Sequence, residues 1–180
     1  MAARLSHRAF NTSNRPHLRV LTLARPFSST FSPHATIPFI ISGSGNGVAQ
    51  SITVSGSPHR ITTDAYTAFG GQDSAPSPLH YNLSALSSCT QVTGSIVAKD
   101  HGIKLSEWEV SVEGQLDPSV LVEGKEGNAN WKSIALKVRV GAETDESGFE
   151  KWSSEVERRC PVTQLFKRSG VEWSSDWQKK

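Results

Sequence analysis

Leu79, Leu83, Leu86, Cys89, Thr93, Ile96 and Val97 recur at mostly three- and four-residue steps, the spacing that lines one face of a helix. Ser77 ahead of Pro78 reads as an N-cap followed by proline at the first helical position, where its missing N–H costs nothing. Gly102 stands where a helix-terminating glycine belongs. The predicted helix runs about seven turns, and the stretch from Ser74 through Ala98 holds no Asp, Glu, Lys or Arg. Its many Ser, Thr, Asn and Gln side chains argue against a membrane span, where each polar group is costly. The pattern is that of a buried central helix, with Ser84, Ala85, Ser87, Ser88, Gly94 and Ser95 admitting close neighbours.

After Gly102 the period changes from 3.6 to 2. Trp108, Val110, Val112 and Leu116 sit among polar residues, and Ile134, Leu136, Val138 and Val140 alternate with Ala135, Lys137 and Arg139. Both read as strands with one wet face, joined by a polar connection over residues 117–130. Upstream, residues 47–56 and Arg60–Thr67 suggest two further strands. Phe149, Trp152, Val156 and Cys160 restore the helical step until Pro161, which must end or kink the helix. A short helix from Val162 to Arg168 then closes at Gly170, and Val171–Trp173 suggests a last strand. Helices segregated from antiparallel strands make an α+β fold. A single chain of this size leaves one side of so long an uncharged helix uncovered, so a homodimer packing two such helices is expected.

The formal charge of +2 is unevenly placed, because six arginines precede the first acidic residue, Asp64. An acid-free, Arg- and Ser-rich N-terminus matches a mitochondrial transit peptide, implying a matrix location. The run Arg25-Pro26-Phe27-Ser28-Ser29 places the cut after Phe27; a basic tail with no targeting role is the alternative. Removing residues 1–27 leaves 14 basic against 17 acidic residues, a net of −3, so a nucleic-acid reading from the isoelectric point loses its support. Residues 28–47 read as a lead-in and 48–180 as the domain. Two cysteines, Cys89 and Cys160, are too few for a disulfide-stapled scaffold and lack C-x-x-C spacing. His59, His80 and His101 have no ligand spacing, so no metal or resident cofactor is expected. The Gly/Ser string at residues 42–47 has no strand-then-helix frame for phosphate.

Gly70-Gly71-Gln72-Asp73-Ser74-Ala75-Pro76-Ser77-Pro78, leading into Leu83-Ser84-Ala85-Leu86-Ser87-Ser88-Cys89-Thr90 and followed by Val156-Glu157-Arg158-Arg159-Cys160-Pro161-Val162, resembles the OsmC/Ohr family from about Val48 to Trp173. The resemblance implies an intertwined α+β homodimer, in which curved antiparallel sheets enclose the central helices and the two cysteines meet near the subunit interface. It implies thiol peroxidation of organic hydroperoxides: Cys89 attacks and becomes a sulfenic acid, and Cys160 resolves it to a disulfide. Lipoyl thiols, on a lipoyl-bearing partner, are the reductant it implies.

Peroxidatic members of that family carry a glutamate ten residues before the nucleophile, and some an arginine 21 before it, while others bring that arginine from farther upstream. Here those positions hold Leu79 and Ala68. Other branches place glutamate nine before, where this chain has His80. Nine residues along a helix span about 13.5 Å and half a turn, so within one helix His80 caps or packs the helix start; across a dimer interface it is an accessory candidate. Arg60, the nearest upstream arginine, is the other accessory candidate, against an ordinary strand arginine. Asp73 reads as a turn residue. Two readings of different class follow. One is a hydroperoxide-reducing enzyme using Cys89 and Cys160. The other is a non-peroxidatic protein that binds a small apolar ligand in the dimer cleft, with Cys89 an inert core thiol. A dimer whose cysteine pair only senses redox state is a third.

Overall fold

The structure, a computed structural model, describes residues 36–180; the proposed transit peptide lies outside them. Ser77 caps the helix α1, Pro78–His101, by accepting the His80 N–H on its hydroxyl. Gly102 ends α1 in the left-handed region at φ +67°, a conformation that favours glycine. Both helix signals act locally, and both were legible in the chain.

The strands β4 (Leu105–Gln115), β5 (Ser133–Ala142) and β6 (Glu172–Lys179) form one sheet in that order. On β5, Ile134, Leu136, Val138 and Val140 are buried while Lys137 and Arg139 between them are exposed. This inner face packs with Val97 and Ala98 of α1 and with Phe149, Trp152 and Val156 of α3, Glu146–Arg159. Trp152 is fully buried, with the rings of Phe149, Trp177 and Trp108 at 5.3, 5.4 and 5.7 Å. Its indole N–H donates to the Gly94 carbonyl at 3.1 Å. A side chain at Gly94 would meet the Trp108 ring at 2.5 Å, which explains the glycine inside a long helix. A smaller cluster, Leu86, Ile134, Phe166 and Val171, closes the other end of α1.

β4 and β5 are antiparallel, but β6 runs parallel to β5. The expectation of a purely antiparallel sheet is corrected there: the chain returns through α3 and α4, Pro161–Arg168, and such a crossover brings a strand back in the same direction. The last strand is also longer than residues 171–173, reaching Lys179. Within the polar connection, Ser119–Glu123 forms the short helix α2.

The N-terminal sheet is a meander of β1 (Ile41–Asn46), β2 (Ala49–Val54) and β3 (Arg60–Thr63). β1 falls inside the segment read as a lead-in, and all six of its residues are exposed, so it has no alternation to reveal it. β3 stops at Thr63 rather than Thr67. Asp64 is the cause: its buried carboxylate accepts the N–H groups of Ala65, Gln72 and Ser74 and the Ser74 hydroxyl, folding residues 64–74 into a closed loop. The Ser74 and Ala65 donors hold the Asp64 carboxyl down to about 2.

Candidate functional site

Pro161 cannot donate the N–H that would bond the Glu157 carbonyl, four residues back. The Gln164 side chain donates there instead, at 2.9 Å. The α3–α4 elbow is further pinned by the Glu157 carboxylate, which accepts from Lys167 at 2.8 Å and from the Trp177 indole at 2.8 Å. Burial alone would raise the Glu157 pKa, but donors from Lys167, Ser175 and Trp177 outweigh it and hold it low.

Cys160 sits at this elbow, fully buried. It ends α3, its N–H donating to Val156 at 2.9 Å. It also caps α4, its Sγ accepting the Thr163 N–H at 3.4 Å. Because Pro161 occupies the first position of α4, the next free donors belong to Val162 and Thr163. The Val162 N–H acts on Cys89, the Thr163 N–H on Cys160.

Cys89 lies on α1, partly buried, with the Thr93 hydroxyl 4.0 Å from its Sγ. Both thiols are free, and each is near enough to shift the other's ionisation. Cysteines 71 residues apart in the chain are therefore brought together where α1 meets α4. Their electrostatics differ in sign. Burial pushes the Cys89 thiol up, and the adjacent Cys160 adds to that rise. Burial also opposes ionisation of Cys160, yet the Thr163 hydroxyl and N–H, with smaller help from Cys89 and Thr93, bring its pKa below the ordinary thiol value. Such a pair can exchange a proton, and with a two-electron oxidant it can close to a disulfide.

The family model for OsmC-like protein matches residues 71–175. This chain belongs to the OsmC-like family. No curated protein matches it. Among solved structures, an OsmC-like protein from Mycoplasma pneumoniae is similar at 17% identity and a TM-score of 0.64, covering 80% of this chain and 99% of that one. An organic hydroperoxide resistance protein from Elizabethkingia anophelis, with crystallant-derived thiocyanate bound, is similar at 13% identity and a TM-score of 0.64, covering 82% and 100%. An OsmC-like protein of unknown function from Vibrio cholerae is similar at 12% identity and 0.62, covering 79% and 99%. At these identities the likeness speaks to the fold.

In the single chain of this OsmC-like protein both accessory candidates are exposed. His80 is exposed in the first turn of α1, where it meets the Tyr66 hydroxyl at 3.2 Å and the Ser77 hydroxyl at 3.3 Å. With Tyr66, Asp73, Tyr81 and Ser84 it lines a hollow of about 700 Å³. Arg60 is exposed at the start of β3, opposite Thr53. Ala68 and Leu79, 21 and ten residues before Cys89, share one cleft of about 730 Å³ with Val48, Phe69, Leu121 and Val122. Among the described residues no ionisable side chain lines it. Among the described residues no group of three or more His, Cys, Asp or Glu is placed to hold a metal.

The groups that sequence reasoning missed are Thr93, Val162 and Thr163. The Cys160-Pro161-Val162-Thr163 run carries their signal: a capping side chain, proline at the first helical position, and a free donor three residues after the cap.

Proposed function

We propose that this OsmC-like protein serves in defence against peroxide stress as a thiol peroxidase for organic hydroperoxides. The observation carrying this reading is the convergence of two free thiols, one partly exposed and one fully buried, at the contact of α1 and α4. The structural likeness to an organic hydroperoxide resistance protein agrees with it. The Cys89 thiolate attacks the terminal oxygen of the hydroperoxide, giving a sulfenic acid and the alcohol. Cys160 displaces the sulfenic oxygen as water and closes the disulfide. A dithiol, lipoyl by family resemblance, reduces it by exchange, and a lipoyl-bearing protein is the matching partner. The working form is a homodimer in the mitochondrial matrix.

Turnover of cumene hydroperoxide with dihydrolipoamide tests the reading. Wild type is expected to consume both substrates, Cys89→Ser to lose at least about a thousandfold in rate, the scale seen when a nucleophile is removed. Equal, slow consumption by both proteins contradicts it.

A second reading is favoured by one observation: the family positions that carry charge elsewhere are Ala68 and Leu79 in an uncharged cleft. On that reading the cleft takes a small apolar ligand and the cysteines are bystanders. Binding of a fluorescent fatty acid that Leu79→Glu weakens, with no thiol oxidation by hydroperoxide, supports it.

A further inference from the structure

Between α3 and α4 stands one extended residue, Cys160, at φ −71° and ψ 113°. Pro161 follows it and interrupts the helical ladder, so the angle between the helices depends on what ties them together outside the backbone. Those ties converge on Glu157, in the last turn of α3. Its carboxylate accepts from Lys167 of α4 through Oε2 and from the Trp177 indole of β6 through Oε1, each at 2.8 Å. Its carbonyl takes the Gln164 side chain of α4 at 2.9 Å. Both partners are themselves held. The Trp177 ring stands edge-on to buried Trp152, and the Lys167 nitrogen lies over the Trp173 ring, 5.9 Å from its centre. The Glu157 side chain is 14% exposed and that of Lys167 39%. An ion pair taken this far out of water returns little stability, because desolvation offsets much of the attraction; what it supplies here is one orientation of the elbow.

We propose that Glu157 is a positioning residue for Cys160: by clamping α4 and β6 to the end of α3, it holds Cys160 where it closes on Cys89 before a second oxidation intervenes. That Cys160 resolves a sulfenic acid rests on the peroxidase reading above. A disulfide needs its Cα atoms about 4.4–6.8 Å apart, and an elbow free to swing spends part of its time outside that window. In the step Glu157 serves, the Cys160 thiolate attacks the Cys89 sulfenic sulfur. The S–S bond forms, the S–O bond breaks, and hydroxide leaves, taking up the proton that the Cys160 thiol gave up, as water. In the competing step a second organic hydroperoxide oxidises the sulfenic acid to sulfinic acid; its O–O bond breaks and the alcohol leaves. Glu157 acts through the elbow and takes no part in making or breaking these bonds.

Two measurements on the full chain test it, and the first needs no hydroperoxide. The protein is equilibrated with lipoamide and dihydrolipoamide, and the Cys89–Cys160 disulfide is read by thiol alkylation and mass spectrometry. Glu157→Gln keeps the shape but turns an amide N–H2 toward one of the two donors; Lys167→Met removes the cation and keeps the stem. Each is expected to lower the disulfide equilibrium constant about tenfold, ~30 mV in potential, and Lys167→Arg to stay near wild type. A role confined to overall stability weakens the reduced and the oxidised chain alike and leaves this constant unmoved. In the second, rapid mixing with excess cumene hydroperoxide, the ratio of sulfinic Cys89 to disulfide is expected to rise in the first two variants, while the sulfenic acid forms at the wild-type rate. Unmoved constants in folded Glu157→Gln and Lys167→Met overturn the proposal, and Lys167→Met, at the more exposed position, decides it if Glu157→Gln fails to fold. Lowered constants in a protein inert to hydroperoxide sink the peroxidase reading alone; brisk turnover with unmoved constants sinks this proposal alone.

Discussion

The two faces of α1 are made of the same uncharged residue types and meet opposite surroundings. Leu86, Thr90, Thr93, Gly94, Val97 and Ala98 are buried against the sheet, α3 and α4. On the other side Ser84, Ala85, Ser88 and Ser95 are exposed, with Val92 at 59% and Ile96 at 50%. The N-terminal sheet and the residues leading into it show the same openness, with Phe39 at 94% and Ile41, the first residue of β1, at 62%. From Pro78 to Ala98 charge was left out of both faces of α1, although the single chain buries one of them. Exposed apolar side chains grouped on one face are what the homodimer proposed above would cover, and Cys89 is partly buried on the same helix. We take the open face as the one that a second copy covers.

The comparison breaks most sharply if the open face is charged. Val92→Asp with Ile96→Asp is expected to halve the mass seen by sedimentation velocity, because unpaired charges buried in an interface cost several kcal/mol each. On a face that stays wet, such changes fall within about 0.5 kcal/mol and the mass does not move. On the closed side, Trp152→Ala is expected to cost about 3–5 kcal/mol in denaturant unfolding, since Trp152 is fully buried among the rings of Trp108, Phe149 and Trp177. Gly94→Ala gains helix propensity but drives a methyl to within 2.5 Å of Trp108; overpacking is expected to win, at about 1–3 kcal/mol.

The smallest effect concerns acid. Asp64, held down to about 2 from 3.8, contributes stability that is fully present above pH 4 and lost as pH falls through the range between those values. The thermal midpoint of wild type is therefore expected to drop across that window. In Asp64→Asn, which turns an amide toward the Gln72 and Ser74 donors, the midpoint is expected to start lower and drop less. Parallel curves for the two proteins contradict the loop account.

What was legible followed from interactions close along the chain. Ser77, Pro78 and Gly102 fix the ends of α1 by capping, and Trp152, Val156 and Cys160 mark α3 by their steps. β1 was illegible because Ser42, Gly43, Ser44 and Gly45 bury nothing in this chain and so carry no period. The direction of β6 was illegible because its partner is chosen across α3 and α4, and Ser175 between Trp173 and Trp177 blurs its alternation. β3 ended early because Asp64 drew backbone donors out of the strand pattern. At the site, the cysteines came from family resemblance, while the part of Thr163 emerges only once Cys160 is seen to cap α4.

The account turns on Cys89 and Cys160 working as one redox pair. The direct test is single-turnover mixing of the reduced protein with one equivalent of cumene hydroperoxide, followed by mass spectrometry of the peptides carrying the two cysteines. The account predicts rapid, stoichiometric conversion to an intrachain Cys89–Cys160 disulfide, trapped as the Cys89 sulfenic acid in Cys160→Ser. Oxidation no faster than that of a free thiol, or overoxidised Cys89 with Cys160 still reduced, would contradict it.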